Sequence, residues 1–307
     1  MNPRCLYRLH PRQIMVHVLA FLLVSLASAS TAAAEQSFQS LQAELQPLID
    51  NAASQGIRVS VGAMDLTGAF AGQTLLLGSD GAYHPASTIK LLLIAALMQQ
   101  VDAGRLSLDN TVAVSAADIV GGMGRLQSET VPQQVTLRRL AELTVTISDN
   151  TATNVLVDAV GYDAMAALAN QLGLKTMQFG RKMFEAAQPP LRDNYIDARD
   201  ALELLAQIYK GDFLGNDSRR QILEWMSAQT VKSKIAAGIP AQVPVAHKTG
   251  ENGPVSHDIG YILMPGREVA LVIFSETSTT TDFDTAQAQL NPLVAKIAES
   301  FYQAIQP

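Results

Sequence analysis

The chain has 307 residues, 48% hydrophobic and 16% charged, with a net charge of −6. That apolar content suits a large folded core rather than a disordered chain. The acidic balance argues against a nucleic-acid partner, because phosphate binding needs a basic face. At the start, Arg4, Arg8 and Arg12 precede a mostly apolar run from Ile14 to Leu26, too short to span a membrane comfortably. Ala32-Ala33-Ala34 before Glu35 has the small-residue pattern of a cleavage site, and Ala27-Ser28-Ala29 is a second possible one. Residues 1–34 therefore read as a signal peptide and 35–307 as the mature protein, periplasmic or secreted. Removing the leader takes the net charge to about −9. It also takes away Cys5, the only cysteine, so the mature chain carries neither disulfide nor thiol chemistry. No later apolar run reaches span length without a charge, so no stable membrane insertion is expected after cleavage.

Gln36 to Ala53 places Phe38, Leu41, Leu45 and Leu48 at helical spacing and is closed by Gly56. Arg58 to Leu66 alternates as a strand, with Gly72 to Gly78 as its partner after the Thr67-Gly68 turn. From the apolar run after Lys90 to about Trp225 the chain reads mainly helical. Consecutive glycines in Asp118 to Gln127 mark a loop within that stretch. Thr136 caps a helix over Leu137 to Thr144, Ala152 to Val160 is helical, and Asp200 to Lys210 and Ser218 to Met226 are two more helices. Val243 to Gly250, Ser256 to Met264 and Glu268 to Glu276 then read as strands, and Asp284 to Gln306 as a closing helix. The expected fold is α/β (α+β): an antiparallel sheet flanked by helices from both termini, with an all-helical domain inserted. The sheet part would be about 35–83 and 226–307, the helical part about 84–225. A cleft between them is the expected place for a site.

Three short stretches carry the chemistry. Ser87-Thr88-Ile89-Lys90 opens an apolar helical segment, and residues three apart share a helix face. A serine hydroxyl is a weak nucleophile until a base takes its proton. A lysine on an apolar helix can lose its charge by desolvation and act as that base. Ser148-Asp149-Asn150 sits between helical patterns, where these residue types also cap helices. Lys248-Thr249-Gly250 lies on a predicted strand, where a lysine often serves only to discourage edge pairing.

Taken together, in this order, the three stretches resemble those of class A β-lactamases and penicillin-recognising serine hydrolases, over the whole mature chain. The resemblance implies acyl transfer through Ser87, with Lys90 as its activating neighbour. It implies that Ser148 relays a proton to the leaving nitrogen, and that Asn150 bonds a substrate amide and Lys90. Lys248 and Thr249 would bind the carboxylate of a penicillin-like ligand. The backbone N–H groups of Ser87 and of Glu251, which follows Gly250, would hold the oxyanion. The acidic side chain of Glu251 would repel an anionic substrate. Met123, in the glycine-rich loop, is a weak candidate for substrate contact. The implied partner is a small β-lactam, acted on by a monomer without cofactor.

Residues 180–193 depart from the family pattern. The family carries Arg-x-Glu-x-x-x-Asn at the start of this loop and Asp near its end, the Glu activating the deacylating water. Here Arg181 and Asp193 match the ends and are expected to form a closing ion pair. Met183 stands in the glutamate position and Ala187 in the asparagine position. Glu185, the only carboxylate between the ends, is either a solvated loop residue or the replacement base, with slower deacylation. His257 falls roughly where the family places an arginine for the substrate carboxylate, which would make that contact weaker and pH-dependent. Neither it nor His247 stands in a metal-ligand pattern, so metal catalysis is not expected. Alternatives to an exported β-lactamase are a D-Ala-D-Ala peptidase acting on peptidoglycan and a penicillin-trapping module that acylates without turnover.

Overall fold

The computed structural model describes residues 41–189 and 192–306; the leader and its cleavage sites lie outside them. A five-stranded antiparallel sheet forms the frame, in the order β2-β1-β7-β6-β5. Its strands are β1 (Ile57–Asp65), β2 (Thr74–Gly78), β5 (Val245–Asn252), β6 (Val255–Ile262) and β7 (Val269–Thr277). The chain leaves the sheet after β2 and returns at β5, as expected. In between lie α2 (Lys90–Asp102), α3 (Leu137–Thr146), α4 (Asn150–Val160), α5 (Tyr162–Gln171), α6 (Ala198–Lys210) and α7 (Asn216–Ser227). Among the described residues the remaining α-helices are α1 at 41–54 and α8 (Phe283–Ile305).

Alternation along the strands sorts side chains onto two faces. Leu271 and Ile273 of β7, with Val59 and Val61 of β1, join Leu41, Leu45 and Ile49 of α1 and the apolar stripe of α8 in one core. Ala270, Val272 and Phe274 of the same central strand face a second core, which includes Leu202 and Leu205 of α6 and nearly all of α2. On this face α6 crosses close to the sheet: a Cβ on Gly62 would stand 2.8 Å from Leu202 Cδ1, so a larger residue there would have to push the Leu202 side chain aside. Phe38, assigned to the α1 stripe, lies outside the described residues; within them Leu41 and Leu45 are buried, and Ile49 and Ala52 continue the stripe.

The region between β2 and β5 is not wholly helical. β3 (Thr111–Val114) and β4 (Gln133–Thr136) form a two-stranded antiparallel ribbon that frames the glycine-rich loop. Four-residue strands with mixed exposure carry too little alternation to stand out in sequence. Thr136 ends β4 and caps α3 through its hydroxyl, which accepts from Arg139 N at 3.2 Å. Among the described residues no helix is long and apolar enough to cross a membrane.

Candidate active site

Ser87 lies not in α2 itself but in a 3-10 turn, Ala86–Ile89, that runs into it. A 3-10 turn has three residues per turn, so Ser87 and Lys90 are stacked more directly than an α-helix would stack them. The turn starts after Pro85, and Ala86 takes a left-handed φ of 47°. That is an uncommon conformation for a residue with a Cβ, and Ser148 (φ 59°) and Phe184 (φ 65°) share it. The turn abuts β5: a Cβ on Gly250 would meet Pro85 O at 2.9 Å and Thr88 N at 3.0 Å. Gly250 is thus what lets the strand pass beside Ser87.

Lys90 begins α2 with no solvent exposure, above a helix buried on every side through Met98. Its ammonium donates to Ser148 O at 2.7 Å, to Ser148 Oγ at 3.2 Å and to Asn150 Oδ1 at 2.8 Å. Lys248, also fully buried, donates from β5 to Ser148 Oγ at 3.0 Å and to Thr249 O at 2.8 Å. A hydroxyl has two acceptor sites and one proton. With both acceptor sites of Ser148 engaged by lysines, its proton is left free to be donated. Burial pushes Lys90 well below the usual lysine range, and the nearby charge of Lys248 adds to this against Asp149. Burial likewise brings Lys248 down to about 7; Glu251 raises it and Lys234 lowers it.

Asp149 supports this arrangement from beneath. Its buried carboxylate caps α4 by accepting from Ala152 N at 2.8 Å, and accepts Arg125 N at 2.6 Å and Leu126 N at 2.9 Å. The Ser-Asp-Asn stretch is therefore a helix cap and a site element at once. Asn150 Nδ2 donates to Gly121 O at 3.1 Å, tying the same loop to α4. On that loop Met123 is 43% exposed; Phe184, from the 180–193 loop and unmarked in the sequence, is 67% exposed. Gly122 lies between Asn150 and the Phe184 ring, each 2.9 Å from where its Cβ would be.

The expected loop ion pair is present: Arg181 Nε donates to Asp193 Oδ1 at 2.6 Å, with both side chains largely buried. Arg181 Nη2 also lies 3.0 Å from His84 Nε2, which links the loop to the segment leading into the Ser87 turn. Glu185 is exposed, and its carboxylate accepts Lys182 N at 3.0 Å within its own turn. It lines a cavity of about 270 Å³ with Asp158, Asn154 and Met183, whose lining includes none of Ser87, Lys90, Ser148 or Lys248. Met183 is partly buried against the main core, and its N–H and carbonyl are both bonded to the Asn154 amide.

His257 does not supply a charge for a substrate. It is fully buried, its Nε2 donates to His84 O at 3.0 Å, and its Nδ1 accepts Ser275 N at 3.2 Å. Both ring nitrogens are thereby committed to backbone in the neutral form, and burial brings its pKa down to about 3. Its neighbours are the rings of Tyr83 and Phe274. The extra cation at this end of β5 is Lys234, which sequence reasoning passed over. Lys234 is fully buried; its Nζ stands 2.7 Å from Glu251 Oε1 and 3.3 Å from both Gly250 O and His257 O. A lysine between a helix and a strand gives no sequence signal of burial; only the packing of its segment behind β5 reveals it. His247, beside Lys248, is buried against Asp258, Nδ1 to Oδ2 2.9 Å.

The arrangement sets the Ser148 hydroxyl between two buried lysines beside the Ser87 turn, where it can pass a proton, with the edge strand β5 running past. Comparison with known proteins bears on what it acts upon. The model of the β-lactamase enzyme family matches residues 40–305. β-Lactamase AER-1 of Aeromonas hydrophila is 30% identical over 66% of this chain and 68% of its own length. The structure of a β-lactamase from Sphaerobacter thermophilus has a TM-score of 0.77 at 26% identity, covering 86% of this chain and 97% of that one. A mutant of PBP-A, solved as an acyl-enzyme complex with penicillin G, has a TM-score of 0.75 at 26% identity, covering 87% of this chain and 96% of that one.

Proposed function

Since this chain belongs to the β-lactamase enzyme family, we propose that it is an exported serine hydrolase that opens the ring of penicillin-like β-lactams through an acyl-enzyme on Ser87. The observation that carries this reading is the buried Lys90–Ser148–Lys248 chain beside the Ser87 turn. Lys90, whose hold on its proton is weakened by burial and by the charge of Lys248, takes the Ser87 hydroxyl proton as Oγ attacks the lactam carbonyl. The N–H groups of Ser87 and Glu251 hold the oxyanion. Collapse breaks the C–N bond, and the nitrogen receives the Ser148 proton, which Lys90 replaces. Lys248 and Thr249 hold the substrate carboxylate, and Asn150 a side-chain amide. The site lies where the sheet part, about 35–83 and 226–307, meets the inserted part, about 84–225.

Deacylation needs a base to activate water. Glu185 is our candidate, acting from an exposed loop, so the acyl-enzyme is expected to be long-lived. The second reading, a module that acylates and is not released, is favoured by Met183 in the position of the family glutamate. The likeness to PBP-A, a mutant of which was solved as a penicillin G acyl-enzyme, is in keeping with it. Intact mass of the protein followed over time with penicillin G tests both. An adduct that forms and then decays supports the hydrolase; one that never decays supports the trap. Ser87→Ala should form no adduct, and Lys90→Ala should acylate about 100-fold or more slowly. An adduct on Ser87→Ala at the wild-type rate would refute the assignment.

A further inference from the structure

Thr249 and Glu251 are two apart on β5 and so project to the same side of the strand. A ligand carboxylate approaching Thr249 therefore meets a carboxylate already in place. Glu251 is not a solvated edge charge: its side chain is 14% exposed and its Oε1 lies 2.7 Å from the Nζ of a lysine with no exposure at all. That lysine has no other carboxylate within ion-pair distance among the described residues, and its other contacts are two backbone oxygens at 3.3 Å. The same Glu251 charge also acts on Lys248. Glu251 is thus the carboxylate in contact with Lys234 and the one that acts most on Lys248, with buried Asp258 acting on both from further away.

We propose that Glu251 is a built-in counter-anion for Lys234, and that its charge weakens this site's hold on a substrate carboxylate relative to the uncharged form of the same substrate. To seat its carboxylate, a substrate must draw Lys234 away from Glu251 and leave a largely buried carboxylate with less than its full complement. An unpaired or repelling charge is the physical basis of such discrimination. This inference rests on the acyl-transfer reading above and specifies its substrate class.

The test uses a matched pair, penicillin G and its methyl ester, with adduct formation followed by intact mass and ring opening followed by absorbance. The readout is the ratio of second-order acylation constants, acid over ester. Glu251→Gln, which keeps the shape and removes the charge, should raise this ratio about tenfold, the effect of one displaced charge contact of about 1.4 kcal/mol. Glu251→Asp should restore a ratio near wild type. Lys234→Gln, which leaves Glu251 without its cation, should move the ratio the opposite way. A purely structural pair would change both substrates alike, so an unchanged ratio in Glu251→Gln overturns the proposal while acylation itself stands. If wild type and variants form no adduct with either compound, the acyl-transfer reading falls and takes this inference with it.

Discussion

Asp193→Asn isolates the contact that closes the loop between α5 and α6. The asparagine keeps the shape and an acceptor oxygen but not the charge. Asp193 Oδ1 accepts two hydrogen bonds, from Arg181 Nε at 2.6 Å and from Asn194 N at 2.8 Å. The side chains of the pair are 16% and 12% exposed. A hydrogen bond to a charged group contributes about 1.5–3 kcal/mol; with some solvent access, the loss should be about 2 kcal/mol, near the low end. At roughly 2–4 °C per kcal/mol for a chain of this size, the melting temperature should fall by about 4–8 °C at pH 7. The pH dependence fixes the cause. Burial alone would raise the Asp193 carboxyl, but the Arg181 hydrogen bond, the Asn194 N–H and the Arg181 charge hold it below its ordinary 3.8. A lowered carboxyl stabilises the fold above its unfolded value and loses that contribution as pH falls through the folded one. The wild-type advantage should therefore be full at pH 7 and shrink once the pH drops below about 3.8. Melting curves of the two proteins from pH 7 downward provide the measurement. A difference under about 1 °C at pH 7, or one that does not narrow in acid, would refute the reasoning.

Glu185→Gln should leave acylation by penicillin G within about twofold of wild type and slow adduct decay by about tenfold or more; equal decay rates would remove Glu185 from the mechanism. Lys248, with a pKa near 7, carries its charge below that pH and loses it above. Acylation by a carboxylate-bearing penicillin should therefore decline as pH rises through about 7, and Lys248→Met should lack that decline; a limb that persists in the variant would assign it elsewhere.

Much of this was legible because it depended on local order. The three motifs and the strand–helix succession follow from residues whose spacing or neighbours announce them, and the Arg181–Asp193 pair was expected from the family resemblance. The class A resemblance drawn from those motifs is borne out by the family match. What escaped was set by contacts between distant segments. His257 and Lys234 illustrate this in opposite directions. The histidine looked like a substrate contact and is sealed among Tyr83, Phe274 and two backbone groups. The lysine drew no notice in the sequence and is the buried partner of Glu251. Burial is a property of the fold, and a single ionisable residue gives no periodicity from which to read it. The ribbon of β3 and β4 was missed for a related reason: its stability comes from pairing across the loop it frames, not from the pattern in either strand.

The close passage of β5 beside the Ser87 turn has a practical consequence. Ser87, Ser148 and Lys248 come from chain segments far apart in sequence, and Gly250 brings the last of them in only when the sheet is complete and docked on the helical core. An unfolded molecule holds the same three motifs and none of their proximity. A fluorescent penicillin that labels Ser87 would therefore stain correctly assembled chains alone, and the band it leaves on a gel would serve as a head-count of native protein in a refolding mixture or a variant library.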